Sequence, residues 1–121
     1  MHVALEDSRL ARHLDGPARA LLVAGAIKRS YGAGAILFEE GAQGDGVYVV
    51  EQGLVEIAAR SVPGRLHRLA VMEPGDYFGE MAVFDGGPRS ASAIASGAVT
   101  AFFIPSAALL ANWRFHRASL C

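Results

Sequence analysis

A chain of 121 residues, 52% hydrophobic and 19% charged, suits one small domain with one core and excludes a disordered chain. Its net charge of −1 gives no nucleic-acid footprint, no apolar run is long enough to span a membrane, and no N-terminal signal peptide is evident. The single cysteine, Cys121, excludes an internal disulfide and a structural zinc site, and a reducing cytoplasmic setting is expected.

Residues from about Val3 to Leu14 read as a short helix, with Leu10 and Leu14 spaced for one face. Asp15-Gly16-Pro17 breaks it. Pro17 then opens a second short helix, which carries Leu21 and Leu22 and stops at Gly25. From Ile27 to Ile104 the period changes. Short runs rich in β-branched and aromatic residues, punctuated by many of the 14 glycines, predict strands. These are Ile27–Tyr31, Ile36–Glu39, Val47–Glu51, Leu54–Ala59, Leu66–Met72, Tyr77–Phe78, Ser90–Ala95 and Val99–Ile104. Turns fall at Gly41–Gly46, Gln52-Gly53, Arg60–Gly64 and Pro74-Gly75. Eight short strands without room for crossover helices predict a mainly β domain, an antiparallel roll or sandwich. After Pro105 the helical period returns. Ser106 can cap, and Leu109, Trp113, His116 and Leu120 share a face that Phe115 leaves. Trp113 is expected to bury against the roll, and Phe115 to serve as a lid or contact surface. The expected organisation is one domain: helices over 1–26, β-roll over 27–105, and one helix over 106–121.

One stretch carries chemistry: Phe78-Gly79-Glu80-Met81-Ala82-Val83-Phe84-Asp85-Gly86-Gly87-Pro88-Arg89-Ser90-Ala91-Ser92. An arginine offers a planar fork of donors to a phosphate. A short helix begun at Glu80 adds free backbone N–H groups. An ionised carboxylate only accepts, so Glu80 suits sugar hydroxyls rather than phosphate. Small residues at Gly79, Ala82 and Ala91 let a ligand approach the backbone. The set fits an oxygen-rich anion bearing a sugar.

This stretch resembles the phosphate-binding cassette of the cyclic-nucleotide-binding domain family. The resemblance rests on Phe-Gly-Glu-Met-Ala followed by Gly-Gly-Pro-Arg-Ser-Ala-Ser, and it extends from about Ile27 to Pro105. It implies an eight-stranded antiparallel β-roll of jelly-roll type with flanking helices, which binds cAMP or cGMP without chemistry on them. It further implies that Arg89, Ser90 and Ala91 hold the phosphate, Gly79 and Glu80 the ribose, and the backbone at Met81 and Ala82 the cassette side. Ile57, Leu69, Ala70 and Met72 match positions that line the base pocket. Gly41, Gly53 and Gly75 match turn glycines. Members of the family usually carry a longer C-terminal helix over the base; here about one helix follows the last strand.

Other chemistries find little support. His2, His13, His67 and His116 are scattered, so no metal is expected, and a cupin-like metalloenzyme is disfavoured. Ser90 and Ser92 lack a nucleophile arrangement, and the Gly41–Gly46 loop has no lysine and no following helix, so it is not a P-loop. The expected function is therefore a regulatory sensor for a cyclic nucleotide, not an enzyme, with no cofactor beyond the ligand. It would act on an unidentified effector or as a module of a larger regulatory or transport protein, with no nucleic acid or membrane engaged by this chain. The rival is a roll that no longer binds nucleotide and serves protein contacts. As a ligand-facing residue, Arg89 is expected to have little part in the core.

Overall fold

A computed structural model describes residues 1–61 and 64–108. The chain is mainly antiparallel β, with eight strands in two four-stranded sheets among the described residues. The strands are β1 (Ile27–Tyr31), β2 (Ile36–Phe38), β3 (Gly46–Gln52), β4 (Val55–Ser61), β5 (Arg65–Met72), β6 (Tyr77–Phe78), β7 (Ser92–Ala95) and β8 (Val99–Pro105). One sheet runs β1-β8-β3-β6 and the other β2-β7-β4-β5. The expected β-roll is present, each strand lying within about two residues of its expected ends.

Period-two alternation sorts the core into two layers. Tyr48 and Val50 of β3, with Ala101 and Phe103 of β8, point into the roll and join Val55, Phe78, Ala93, Ala95 and Val99. Their alternates, Val47, Val49 and Ile104, point out and pack with Leu5, Ala11, Leu22 and Val83. β3 is therefore buried on both faces, which explains its unbroken apolar run Val47-Tyr48-Val49-Val50.

The N-terminal helix expected over Val3–Leu14 is instead two pieces, a 3-10 turn at Leu5–Asp7 and α1 at Arg9–Arg12. Ser8 divides them. Its backbone is extended, and its buried Oγ donates to the Leu5 carbonyl (2.7 Å) and accepts from the Ala11 N–H (3.2 Å). A serine that satisfies neighbouring backbone groups in this way competes with a continuous helix. The second expected helix is α2, Gly16–Gly25, capped by the Asp15 carboxylate, which accepts from the Ala18 N–H. The arm before these helices is tied to the end of β3. Val3 N–H donates to the Glu51 carbonyl, and the buried Glu51 carboxylate meets His2 Nε2 at 3.2 Å and Lys28 Nζ at 3.0 Å.

Residues 106–108 are helical and begin at Ser106 as expected. Leu109, Trp113, Phe115, His116 and Leu120, and with them the expected helix face and lid, lie outside the described residues. So does the Pro63 end of the Arg60–Gly64 turn, although the flanking strands pair as far as Ser61 and Arg65. Among the described residues, no helix is long and apolar enough to cross a membrane.

Candidate functional site

Between β6 and β7 the chain forms α3, Glu80–Asp85, whose first turn lines a cavity of the roll. Gly79 precedes it with φ of 89°, a left-handed conformation that suits glycine. A Cβ there would lie 2.6 Å from Arg89 Nη1 and 3.4 Å from the Phe38 ring, so the position is also closed by its neighbours. α3 ends at Gly86, and the chain returns through Pro88 and Arg89 to β7. Two backbone bonds lock this return to the Gly41–Gly46 loop: Gly41 N–H to the Arg89 carbonyl and Arg89 N–H to the Ala42 carbonyl.

A cavity of about 210 Å³ opens between α3 and the roll. Gly79, Glu80, Met81, Ala82, Arg89, Ser90 and Ala91 line one side; Phe38, Ile57, Met72, Tyr77 and Phe78 line the other. Met81 and Ser90 are exposed at the rim, whereas Ala82 and Ala91 are buried. The structure therefore brings together every residue of the expected phosphate and ribose sets, along with Ile57 and Met72 of the expected base set. It does not bring Leu69 and Ala70 into the lining. Ile57 pairs with Ala70 while Ala58 pairs with Arg68, so Leu69 is the extra residue of a β-bulge, and it is 62% exposed.

Arg89 departs from expectation. It is 3% exposed and belongs to the wall of the roll as well as to the cavity. Nη1 donates to the Gly79 carbonyl (2.6 Å), and Nη2 to the Gly46 carbonyl (2.7 Å) and to Asp45 Oδ1 (3.0 Å). The guanidinium carbon sits 4.1 Å from the centroid of the Phe38 ring. Phe38 is itself packed on Tyr48 (5.6 Å between centroids) and Phe78 (5.9 Å). Burial pushes the Tyr48 phenol up to about 12, helped by Tyr31 and Asp45 and opposed by Arg29 and Arg89. Its hydroxyl donates to the Leu37 carbonyl (3.3 Å).

Two polar atoms of the lining residues are buried and have no hydrogen-bond partner: Arg89 Nε, a donor, and Glu80 Oε2, an acceptor. Buried polar groups are nearly always paired, so these two atoms leave one unused donor and one unused acceptor among the lining residues. Ser92, the last hydroxyl of the stretch, is engaged elsewhere and accepts from the Glu40 N–H (2.8 Å). The described histidines lie apart: His2 at Glu51, His13 edge-on to Tyr77, and His67 on β5. Phe38 and Asp45 went unread in the sequence. Phe38 looks there like any strand aromatic, and Asp45 like any acidic residue between two loop glycines. Only the tertiary return of Arg89 gives either a role.

A family model described as the cyclic nucleotide-binding domain matches residues 28–112. The chain is 45% identical over 60 residues to the CRP-like cAMP-activated global transcriptional regulator of Mycobacterium tuberculosis, a match covering 50% of this chain and 27% of that one. It is 30% identical over 96 residues to the cAMP-dependent protein kinase regulatory subunit of Dictyostelium discoideum, covering 77% of this chain and 29% of that one. The crystal structure of the Thermus thermophilus catabolite activator protein superposes with a TM-score of 0.77 at 30% identity, covering 88% of this chain and 53% of that one. The chain thus spans less than a third of the length of either sequence relative.

Proposed function

The chain belongs to the cyclic nucleotide-binding domain family, and from that premise we propose that it is a cytoplasmic sensor domain for a cyclic mononucleotide, cAMP or cGMP. The observation that carries the reading is the orphan pair, Arg89 Nε and Glu80 Oε2, on one cavity lining. Nε–H supplies a charge-assisted bond to a cyclic phosphate oxygen, while the free N–H groups at the start of α3 face the same anion. The Glu80 carboxylate accepts from a ribose hydroxyl. Ser90 at the rim donates to a second phosphate oxygen, and Ile57 and Met72 offer an apolar wall to the base. The ligand is bound and released without chemistry on it. The two sequence relatives, named as cAMP-activated and cAMP-dependent, support the ligand class. Both are far longer than this chain, which supports an effector carried by a linked domain or a separate protein. The rival, a roll kept only for protein contacts, draws on the three protein acceptors that already hold Arg89.

Calorimetric titration with cAMP, cGMP and a cyclic dinucleotide, side by side, separates the two. The sensor reading expects saturable binding of at least one mononucleotide and none of the dinucleotide; heat from none of the three would leave the rival. The same titration on Glu80→Gln tests the sugar contact. Affinity is expected to fall for the parent nucleotide and to change much less for its 2′-deoxy analogue. Equal losses for both would mean that Glu80 serves the helix rather than the sugar.

A further inference from the structure

We propose that Phe38 is a positioning residue for Arg89: its ring face sets the plane of the guanidinium and thereby aims Nε–H into the cavity. Three of the five guanidinium donors are already committed, one to Gly79, one to Gly46 and one to Asp45. Those bonds hold the two Nη atoms from the edge of the plane. What lies against its face is Phe38, 4.1 Å from the guanidinium carbon. A planar cation over an aromatic face is attracted by the ring quadrupole, more strongly when both are out of water. Here the arginine side chain is 1% exposed.

Phe38 is held in turn. It packs on Tyr48 and Phe78, and β2 changes register against β7 between Ile36 and Phe38, where Ile36 pairs with Ile94 and Phe38 with Ala93. The ring packs against the inner core of the roll and against the arginine. Gly79 leaves room for this contact, since a Cβ there would press on both Nη1 and the Phe38 ring. Nε is left a buried donor with no protein partner. An aliphatic residue at 38 would fill the core but offer no face to the guanidinium.

The inference rests on the sensor reading for its effect on affinity, and a ligand-free measurement keeps the two apart. In ¹⁵N-labelled protein without nucleotide, the Arg89 Nε–H resonance, assigned by its loss in Arg89→Lys, should be displaced by the ring current of Phe38 and protected from exchange. Phe38→Leu should return it toward the position of an ordinary arginine, and Phe38→Tyr should leave it displaced. In titrations, Phe38→Leu is expected to weaken binding of whichever cyclic mononucleotide binds by about 2- to 30-fold. Phe38→Tyr should stay within about threefold of the parent. In the Arg89→Lys background, which lacks the planar fork, Phe38→Leu should cost less than about twofold, because the coupling is to the guanidinium. All variants are compared below their melting transitions. An unmoved Nε–H resonance in Phe38→Leu overturns the proposal, and so does an equal loss of affinity in both backgrounds. If no nucleotide binds the parent protein, the sensor reading fails and the resonance alone decides the role of Phe38.

Discussion

Three hydrogen bonds from a guanidinium that is almost wholly out of water, that of Arg89, tie Asp45 and Gly46, at the start of β3, to Gly79, before α3, and the Phe38 ring of β2 lies against the same group. The sequence-based expectation of a ligand-facing arginine with little core role is therefore corrected. Arg89→Ala should do two things. It should weaken nucleotide binding about 10- to 100-fold, the worth of a charge-assisted bond of roughly 1.5–3 kcal/mol. It should also lower stability by about 1–3 kcal/mol, because the Gly46 and Gly79 carbonyls lose a buried donor. Titration and thermal melting on one preparation check both; an unchanged melting temperature would show the hydrogen bonds to be dispensable. Tyr48 gives a test by pH. Its phenol is pushed up to about 12, above its value of about 10 in an unfolded chain, chiefly by burial. The folded state thus holds its proton where the unfolded state has released it. That contribution to stability is complete below about pH 10 and is lost as pH rises toward about 12. Tyr48→Phe should cost about 1 kcal/mol at neutral pH through the lost bond to Leu37, and its stability should then fall less steeply between pH 10 and 12. Parallel alkaline slopes for the parent and the variant would place the burial penalty elsewhere.

At the scale of elements, the strands were legible because period-two runs bounded by glycine are local signals, and β1 and β6 match their expected bounds residue for residue. The cassette was legible because Gly79, Glu80 and Arg89 lie within 11 residues of one another in the chain. What the sequence did not disclose has both local and distant causes. Ser8 divides a run that reads as one helix, because its side chain outcompetes the helical backbone locally. Leu69 matches a base-pocket position of the family, yet a bulge against β4 takes it out of phase. The turn glycines at 41, 53 and 75 all have positive φ, as their positions suggested. Identical backbone conformation does not mean identical tolerance, however. A Cβ on Gly41 would meet nothing within 4 Å, whereas one on Gly53 would meet the Ala98 carbonyl oxygen at 2.4 Å. Gly41→Ala should therefore cost only the left-handed strain, about 1–2 kcal/mol. Gly53→Ala should cost about 1–3 kcal/mol more, since the β3–β4 turn or the Ala98 backbone must move. Chemical denaturation of the pair checks this, and equal midpoints would refute the steric part.

For the molecule as a whole, the question is how a ligand at the mouth of the roll could be felt by the helices behind it. Only a differential affinity for two arrangements can move such an equilibrium. α3 touches both regions. Glu80, Met81 and Ala82 line the cavity, while Val83, one residue on, packs into the cluster that holds Leu5 and Leu22. A helix of six residues is close to a rigid unit, so drawing its N-terminus toward a phosphate must also move Val83 against the N-terminal helices. Val83→Ala should remove roughly two methylene equivalents of burial, about 1.5 kcal/mol or somewhat more. It touches none of the proposed ligand contacts, so affinity should stay within about threefold. The decisive readout is hydrogen exchange with and without saturating nucleotide. In the parent protein, ligand should raise protection over residues 80–85 and also over residues 5–22. In Val83→Ala the first gain should persist and the second should shrink by more than half. If both gains persist in full, the helices are reached by another route, and the Gly41–Gly46 loop, bonded to the Arg89 backbone, becomes the next element to test.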